Sequence, residues 1–272
     1  MHILVDIGGT NMRVAKTEDR ERFSDPLIIK TPPVYAEGIE TLSSAIRTVA
    51  AGVAVESVIV GIRGSVSQRD GTTHDIGAIK DWSLKPIRAD LGSAAATSAV
   101  FLENDTALVG LGEATFGAGV NASIVAYVTV STGLNGVRVV DGWIDKTAQG
   151  FEIGGQYLNT EGTTSLEDLV SGTAIEKKYG KPPKELGTGS PVWEEEAKIL
   201  AIGLHNTILH WSPERVVLGG SMFNDIGINV DRVAVRVKEV MNKFQKTPEI
   251  VHSKLGDLGG LWGGLARLKQ LN

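Results

Sequence analysis

Cysteine is absent from the chain, which excludes disulfides, a thiolate nucleophile and any cysteine-ligated zinc site. No apolar run approaches the ~18 residues that would span a bilayer. The N-terminus, Met1-His2-Ile3-Leu4-Val5-Asp6, has no positive start and only three apolar residues before an acid, so a secretory leader is not expected. Positive charge is also short: 27 Lys and Arg face 32 Asp and Glu, a formal net charge of −5, and no broad basic field exists to hold nucleic acid. The five histidines form no HExxH or other ligand cluster, and no Walker-type Gly-x-x-x-x-Gly-Lys-Ser/Thr occurs. Gly117-x-Gly119-x-x-Ala122 runs from helix into strand, the reverse of a dinucleotide-binding turn. A cytoplasmic protein without nucleic-acid or membrane partners is the expectation.

What is present is ordinary globular composition, 42% hydrophobic and 22% charged over 272 residues, enough for a sizeable core in one large domain or two small lobes. The densest basic run, Lys177, Lys178, Lys181 and Lys184, is read as a solvated loop. Ile3-Leu4-Val5, then Gly8-Gly9, then the alternation of Met12 to Lys16 predict a hairpin with a glycine turn. A helical stripe over 35–51 and strands at Val58-Ile59-Val60 and Val100-Phe101-Leu102 follow, with a helix from about Thr106 to Phe116. Strands at 124–129 and 137–140 repeat the opening layout of strand, glycine turn, strand. Helices near 166–179, 192–211, 229–243 and 258–270 and a strand at 216–218 complete the second half. The chain therefore reads as two related α/β halves, with a boundary near residues 105–120.

Three glycine turns invite chemistry. Asp6-Ile7-Gly8-Gly9-Thr10-Asn11 follows a buried strand; paired glycines tolerate positive φ and let backbone N–H groups converge on a phosphate. Asp6 stands where a carboxylate could organise hydrated Mg²⁺. A plain hairpin turn is the competing reading. Ser131-Thr132-Gly133-Leu134-Asn135-Gly136 offers a second hydroxyl-plus-glycine turn, and two such turns could grip one polyphosphate. Gly219-Gly220-Ser221 ends a strand before a helix, where backbone can approach an adenosine closely, or where the chain simply turns. Glu103-Asn104-Asp105 ends a buried strand, where open α/β sheets present their ligands. A carboxylate there can accept a hydroxyl proton, as phosphoryl transfer requires, or can cap the next helix. Glu152 and Glu167 flank polar loops and could accept hydrogen bonds from sugar hydroxyls.

Together these residues resemble sugar kinases of the actin-like ATPase superfamily, and within it the ROK family (repressor, open reading frame, kinase), over nearly the whole chain. The resemblance implies a two-lobed actin-like ATPase (ribonuclease H-like) α/β fold, each lobe a mixed sheet flanked by helices. Residues 1–112 would form the small N-terminal lobe, with the helix 258–272 packing back on it, and 113–257 the large one. It implies ATP and Mg²⁺ as cofactors and phosphate contacts from Asp6, Gly8, Gly9, Thr10 and Asn11, the last resembling the bacterial glucokinase version. Thr132 and Gly133 match the second phosphate turn, and Gly219 and Gly220 the adenosine segment. Asp105 would be the base; Gly64, Asn104, Asp105, Glu152 and Glu167 would meet the sugar.

Departures from the family pattern fall on the acceptor side. Glu152-Ile153-Gly154-Gly155 stands where the family has Glu-Ile-Gly-His followed by a zinc cluster, so loop 155–165 must be held differently. Arg63 replaces a proline before Gly64, and the place of an asparagine expected shortly before Trp82 falls among Ala78 to Lys80. The expected activity is transfer of the ATP γ-phosphate to a hexose, foremost glucose at its 6-hydroxyl. The alternatives are N-acetylmannosamine, N-acetylglucosamine or fructose as acceptor, or a relative that binds sugar or nucleotide without catalysis. A repressor would need a helix-turn-helix ahead of the first strand, where only two residues precede Ile3. The family's habit implies a homodimer.

Overall fold

The computed structural model describes residues 1–74, 77–224 and 226–271, apart from the side chain of Ala78. It falls into two compact units. One comprises Met1–Gly112, Ala148–Gly150 and the chain from Asp257 onward; the other comprises Glu113–Thr147 and Phe151–Gly256.

The first unit is built on a five-stranded mixed sheet. Its strands are β1 (His2–Ile7), β2 (Asn11–Thr17), β3 (Leu27–Lys30), β4 (Ser57–Ile62) and, beyond a small hairpin of β5 (Ser65–Ser67) and β6 (Thr72–His74), β7 (Val100–Asn104). The order is β3-β2-β1-β4-β7, with the first three antiparallel and β1, β4 and β7 parallel. The apolar run Ile3-Leu4-Val5 and the sequence Val58 to Ile62 are buried on both faces, as central parallel strands demand. Helices α1 (Tyr35–Ala50) and α2 (Ile87–Ala95) cover one face. Helix α3 (Asp105–Phe116) begins directly after β7.

The second unit repeats the plan. Strands β8 (Ile124–Val130), β9 (Leu134–Val140), β10 (Trp143–Ile144), β11 (Arg215–Gly219) and β12 (Glu249–His252) run in the order β10-β9-β8-β11-β12. The directions match those of the first sheet. Helices α4 (Leu166–Val170), α5 (Gly172–Tyr179), α6 (Val192–Trp211) and α7 (Val230–Val240) surround it. The last helix, α8 (Gly259–Lys269), packs on β1 and β4 of the first unit. Its Gly263 meets α3 backbone to backbone: a side-chain carbon there would lie 1.8 Å from the Leu108 carbonyl oxygen. Asn272 lies outside the described residues. Among those described, no helix is long and apolar enough to cross a membrane.

Several expectations need correction. The helix over 166–179 is two helices, broken at Ser171, whose backbone is extended and whose hydroxyl accepts the Ala174 N–H to cap α5. Strand β4 runs on through Gly61 to Ile62, beyond the expected Val58-Ile59-Val60. The basic run is divided: Lys177 and Lys178 sit in the last turn of α5, and Lys178 pairs with Glu195 at 2.8 Å. The strands β3, β5, β6, β10 and β12 are short edge or hairpin pieces without a periodic signal.

One buried carboxylate ties the second unit together. Glu113, fully buried, accepts the Ala118 N–H at 2.7 Å and those of Lys254 and Leu255 at 2.8 Å. Each buried N–H left without an acceptor costs about 1–3 kcal/mol. Glu113→Leu is therefore expected to lower unfolding stability by about 3 kcal/mol or more, read as an earlier urea midpoint. A midpoint equal to that of the parent would show that the knot does not stabilise the unit.

Candidate functional site

In the first unit, a hairpin that turns at Gly9-Thr10 fixes which side chains face each other. Cα pairing sets Asp6 opposite Arg13 and Ile7 opposite Met12, and the Arg13 Nη1 stands 3.5 Å from Asp6 Oδ2. Arg13 Nη2 lies 3.9 Å from the exposed carboxylate of Asp257. The Gly8 N–H donates to the Asn11 carbonyl at 3.0 Å and the Thr31 hydroxyl donates to the Gly8 carbonyl at 2.7 Å. Gly8 is thus spent on closing the turn. The N–H groups of Gly9 and Thr10 find no acceptor among the described residues, so they are the donors left for an anion. Neither Gly8 nor Gly9 has positive φ. The tolerance of glycine for positive φ is not used in this turn; Gly64 (φ 96°) and Gly220 (φ 97°) do use it.

Asp105 opens α3 at the end of β7. Its Oδ1 accepts the Thr106 N–H at 2.7 Å and the Thr106 hydroxyl at 3.4 Å, and Oδ2 accepts no hydrogen bond among the described residues. Burial raises its pKa, against the pull of the Thr106 N–H and the Arg63 guanidinium. Asp6 approaches from β1, two strands away, with only Gly61 of β4 between. A side-chain carbon on Gly61 would sit 3.9 Å from Asp6 Oδ1 and 3.8 Å from the Asp105 Cα. Burial and then the charge of Asp105 push the Asp6 pKa up to about 7, with Arg13 opposing.

Asn104 takes the helix-cap role: its Oδ1 accepts the Ala107 N–H at 3.0 Å, and its Nδ2 donates to the Gly64 carbonyl at 3.0 Å. Glu103, raised by burial, is held by Arg267 of α8 at 3.1 Å. Asp6, Gly8 to Asn11, Gly64, Asn104 and Asp105 therefore gather at one edge of the first sheet. Lys80 of the stretch Ala78 to Lys80 is exposed; the side chain of Ala78 lies outside the described residues.

In the second unit, the turns at 131–135 and 219–221 come together. The Ser221 N–H donates to Ser131 Oγ at 3.0 Å, and a side-chain carbon on Gly220 would meet the Val130 carbonyl oxygen at 2.4 Å. The start of α5 locks the same turn: the Gly172 N–H donates to the Ser131 carbonyl at 2.7 Å, and the Thr173 hydroxyl to the Thr132 carbonyl at 2.8 Å. Both loop acids reach it too. Glu167 Oε2 accepts the Leu134 N–H at 2.6 Å, and Glu152 Oε2 accepts from Asn135 Nδ2 at 3.3 Å. Thr132, Gly133, Glu152, Glu167, Gly219 and Gly220 thus form a second cluster, contiguous within its own unit.

Loop 155–165 is closed by hydrogen bonds centred on Asn159. Its Oδ1 accepts the N–H groups of Thr163 and Thr164 at 3.2 Å, and its Nδ2 donates to Thr163 Oγ1 at 2.8 Å. A Ser165–Asp168 capping box then starts α4. The sequence reading missed Arg13 as the partner of Asp6, although a hairpin turning at residues 9 and 10 pairs positions 6 and 13 by count alone.

Comparison with known proteins supplies a context for both clusters. Residues 2–270 match the model of the ROK family. A glucokinase of Thermotoga maritima is 26% identical, the alignment covering 98% of this chain and 96% of that protein. An N-acetyl-D-glucosamine kinase of Vibrio cholerae is 27% identical over 97% of this chain and 98% of its own length. The crystal structure of a ROK hexokinase from Thermus thermophilus superposes with a TM-score of 0.84 at 26% identity, covering 99% of this chain and 98% of the other. These matches establish the actin-like ATPase fold for the two repeated sheets.

The raised pKa of Asp6 has a consequence for stability. Between its unfolded value of 3.8 and its folded value of about 7, the native state binds the proton that the unfolded state has released. Stability therefore falls as pH rises through this window. Asp6→Asn should raise the melting temperature at pH 8, by up to about 4 kcal/mol of stability, with the gain vanishing as pH falls below 4. Thermal denaturation in chelator-containing buffer reads this; a gain of equal size at pH 4 and pH 8 would refute the assignment.

Proposed function

Because this chain belongs to the ROK family, we propose that it is an ATP-dependent sugar kinase that transfers the γ-phosphate to a hexose hydroxyl with Asp105 as general base. The glucokinase and the N-acetyl-D-glucosamine kinase among its relatives point to a hexose skeleton, glucose first, as the acceptor. The observation that carries the reading is the junction of β7 and α3: a buried carboxylate with one oxygen anchored by Thr106 and the other accepting from no other described residue, close enough to a second acid to raise its pKa.

Each residue then has a task. Asp105 Oδ2 accepts the proton of the attacking hydroxyl, and burial, by making the carboxylate more basic, favours that transfer. Asn104, fixed at both ends of its amide, and the Gly64 backbone orient the acceptor. Glu152 and Glu167 accept hydrogen bonds from sugar hydroxyls with the oxygens not engaged at the 131–135 turn. The N–H groups of Gly9 and Thr10, with Asn11 and the Thr132-Gly133 turn, hold phosphate oxygens, and Gly219-Gly220 receives the adenosine.

Hydrated Mg²⁺ fits Asp6. A buried carboxylate further destabilised by the charge of Asp105 attracts a divalent cation, and no group of three or more His, Asp or Glu among the described residues forms a cage that would strip its water. When bound, the ion would neutralise charge on the transferring phosphoryl group.

Asp105→Asn is expected to lower kcat by about 10²–10⁴. ADP release over glucose, mannose, fructose, glucosamine, N-acetylglucosamine and N-acetylmannosamine measures this and ranks the acceptors at once. Undiminished turnover in the variant would remove Asp105 from the mechanism.

A further inference from the structure

Arg63 favours the charge of Asp105 but forms no direct ion pair with any carboxylate among the described residues. It follows β4 directly, and the parallel register that pairs Ile62 with Asn104 carries Arg63 alongside Asp105. Its backbone is fixed from two sides. The Thr73 hydroxyl donates to the Arg63 carbonyl at 3.1 Å, and the next residue, Gly64, is clamped by Asn104 at 3.0 Å. Gly64 also has φ 96°, and a side-chain carbon there would strike the His74 carbonyl oxygen at 2.1 Å, so the chain must pass Arg63 into this place. The guanidinium lies against backbone: a side-chain carbon on Gly77 would be 3.5 Å from its Cζ and Nε.

Arg63 is half-buried, yet no carboxylate pairs with it among the described residues, whereas Arg13, Arg138, Arg215, Arg236 and Arg267 all have acidic partners. Its nearest counter-charge is Asp105, which feels the guanidinium without forming a direct ion pair with it, so the fork remains able to donate to an anion. The surrounding segment has the matching sign. Residues 63–88 carry five Lys or Arg (Arg63, Arg69, Lys80, Lys85, Arg88) against three Asp (Asp70, Asp75, Asp81), a net +2 within a chain of net −5.

We infer that Arg63 is a specificity-determining residue that binds an anionic substituent on the hexose acceptor, a carboxylate or a phosphate. The planar fork of arginine suits either group through two parallel hydrogen bonds. The inference rests on the sugar-kinase reading above and narrows its substrate class from neutral hexoses to charged derivatives of the same skeleton.

The test compares glucose with gluconate as the carboxylate probe and with glucose 1-phosphate as the phosphate probe, both of which keep the 6-hydroxyl, by ADP release from the full chain. At least one anionic acceptor should exceed glucose in kcat/KM by about 10–100-fold, the worth of a charge-assisted fork. Arg63→Met should bring that ratio close to one, and Arg63→Lys should restore part of it. Glucose equal to or better than every anionic probe overturns the inference and leaves the kinase reading standing. So does a loss in Arg63→Met that is the same factor for all acceptors, which would place Arg63 with the phosphoryl group. If no acceptor is turned over, the kinase reading fails. Calorimetric binding of gluconate and glucose 1-phosphate to parent and Arg63→Met then decides the inference separately: tighter binding that needs Arg63 supports it, and equal binding refutes it.

Discussion

Two carboxylates kept within reach of each other at the end of one sheet constrain the whole first unit. Asp6 and Asp105 arrive on β1 and at the end of β7, and the strand between them offers only Gly61, over which the Leu108 side chain, Asp6 and the Asp105 backbone all close. Burial disfavours the charge of both, and the charge of Asp105 adds to the effect at Asp6; the neighbourhood reads as a set of responses. Arg13 comes across the hairpin to Asp6, Thr106 gives its N–H to Asp105, and Arg63 lends charge from the side. Helix α8 adds rigidity where side chains cannot: its glycines let it touch α3 backbone to backbone, so the helix that Asp105 begins is braced. Such an arrangement is poor for stability and useful for chemistry, since perturbed acids in a rigid frame are what proton transfer and cation binding require.

Much of this was legible from residue pattern. The apolar runs at Ile3 to Val5, Val58 to Val60 and Val100 to Leu102 are strands that share one sheet, and the repeated layout of strand, glycine turn, strand is a repeated sheet order. The short edge strands were not legible: three or four residues with one solvent face, as in Leu27–Lys30, carry too little alternation to stand out. The break at Ser171 was hidden because apolar spacing continues across it. Only the three-dimensional neighbour, the Ser131 carbonyl that takes the Gly172 N–H, explains why the helix restarts there. The turn at Gly8-Gly9 was located correctly as a turn, but Gly8 serves close approach to Asn11 and neither glycine a left-handed backbone. The buried carboxylate of Glu113 left no trace in periodicity, because a lone acid in a helix reads as a surface residue until its three N–H partners are seen.

In the second unit, the residues read as ligand contacts are also framework. Glu167 already grips the Leu134 N–H and Glu152 already touches Asn135, so each carboxylate is oriented within the protein itself. A hydrogen bond from backbone to one carboxylate oxygen fixes the plane of the group and aims the other oxygen, which lowers the ordering entropy that binding must supply. The same contacts link the two acids to the 131–135 turn, and through Ser131 to the turn at Gly220. A ligand that pulls on either acid therefore pulls on the strand-end turns. Loop 155–165 makes this coupling firm: Asn159 closes it, Gln156 ties it to Asn206 of α6, and the Ser165–Asp168 box hands it to the helix that carries Glu167. Hydrogen bonds from side-chain amides do here what a bound ion would do elsewhere. Because each is individually weak, the position of Glu167 depends on all of them together.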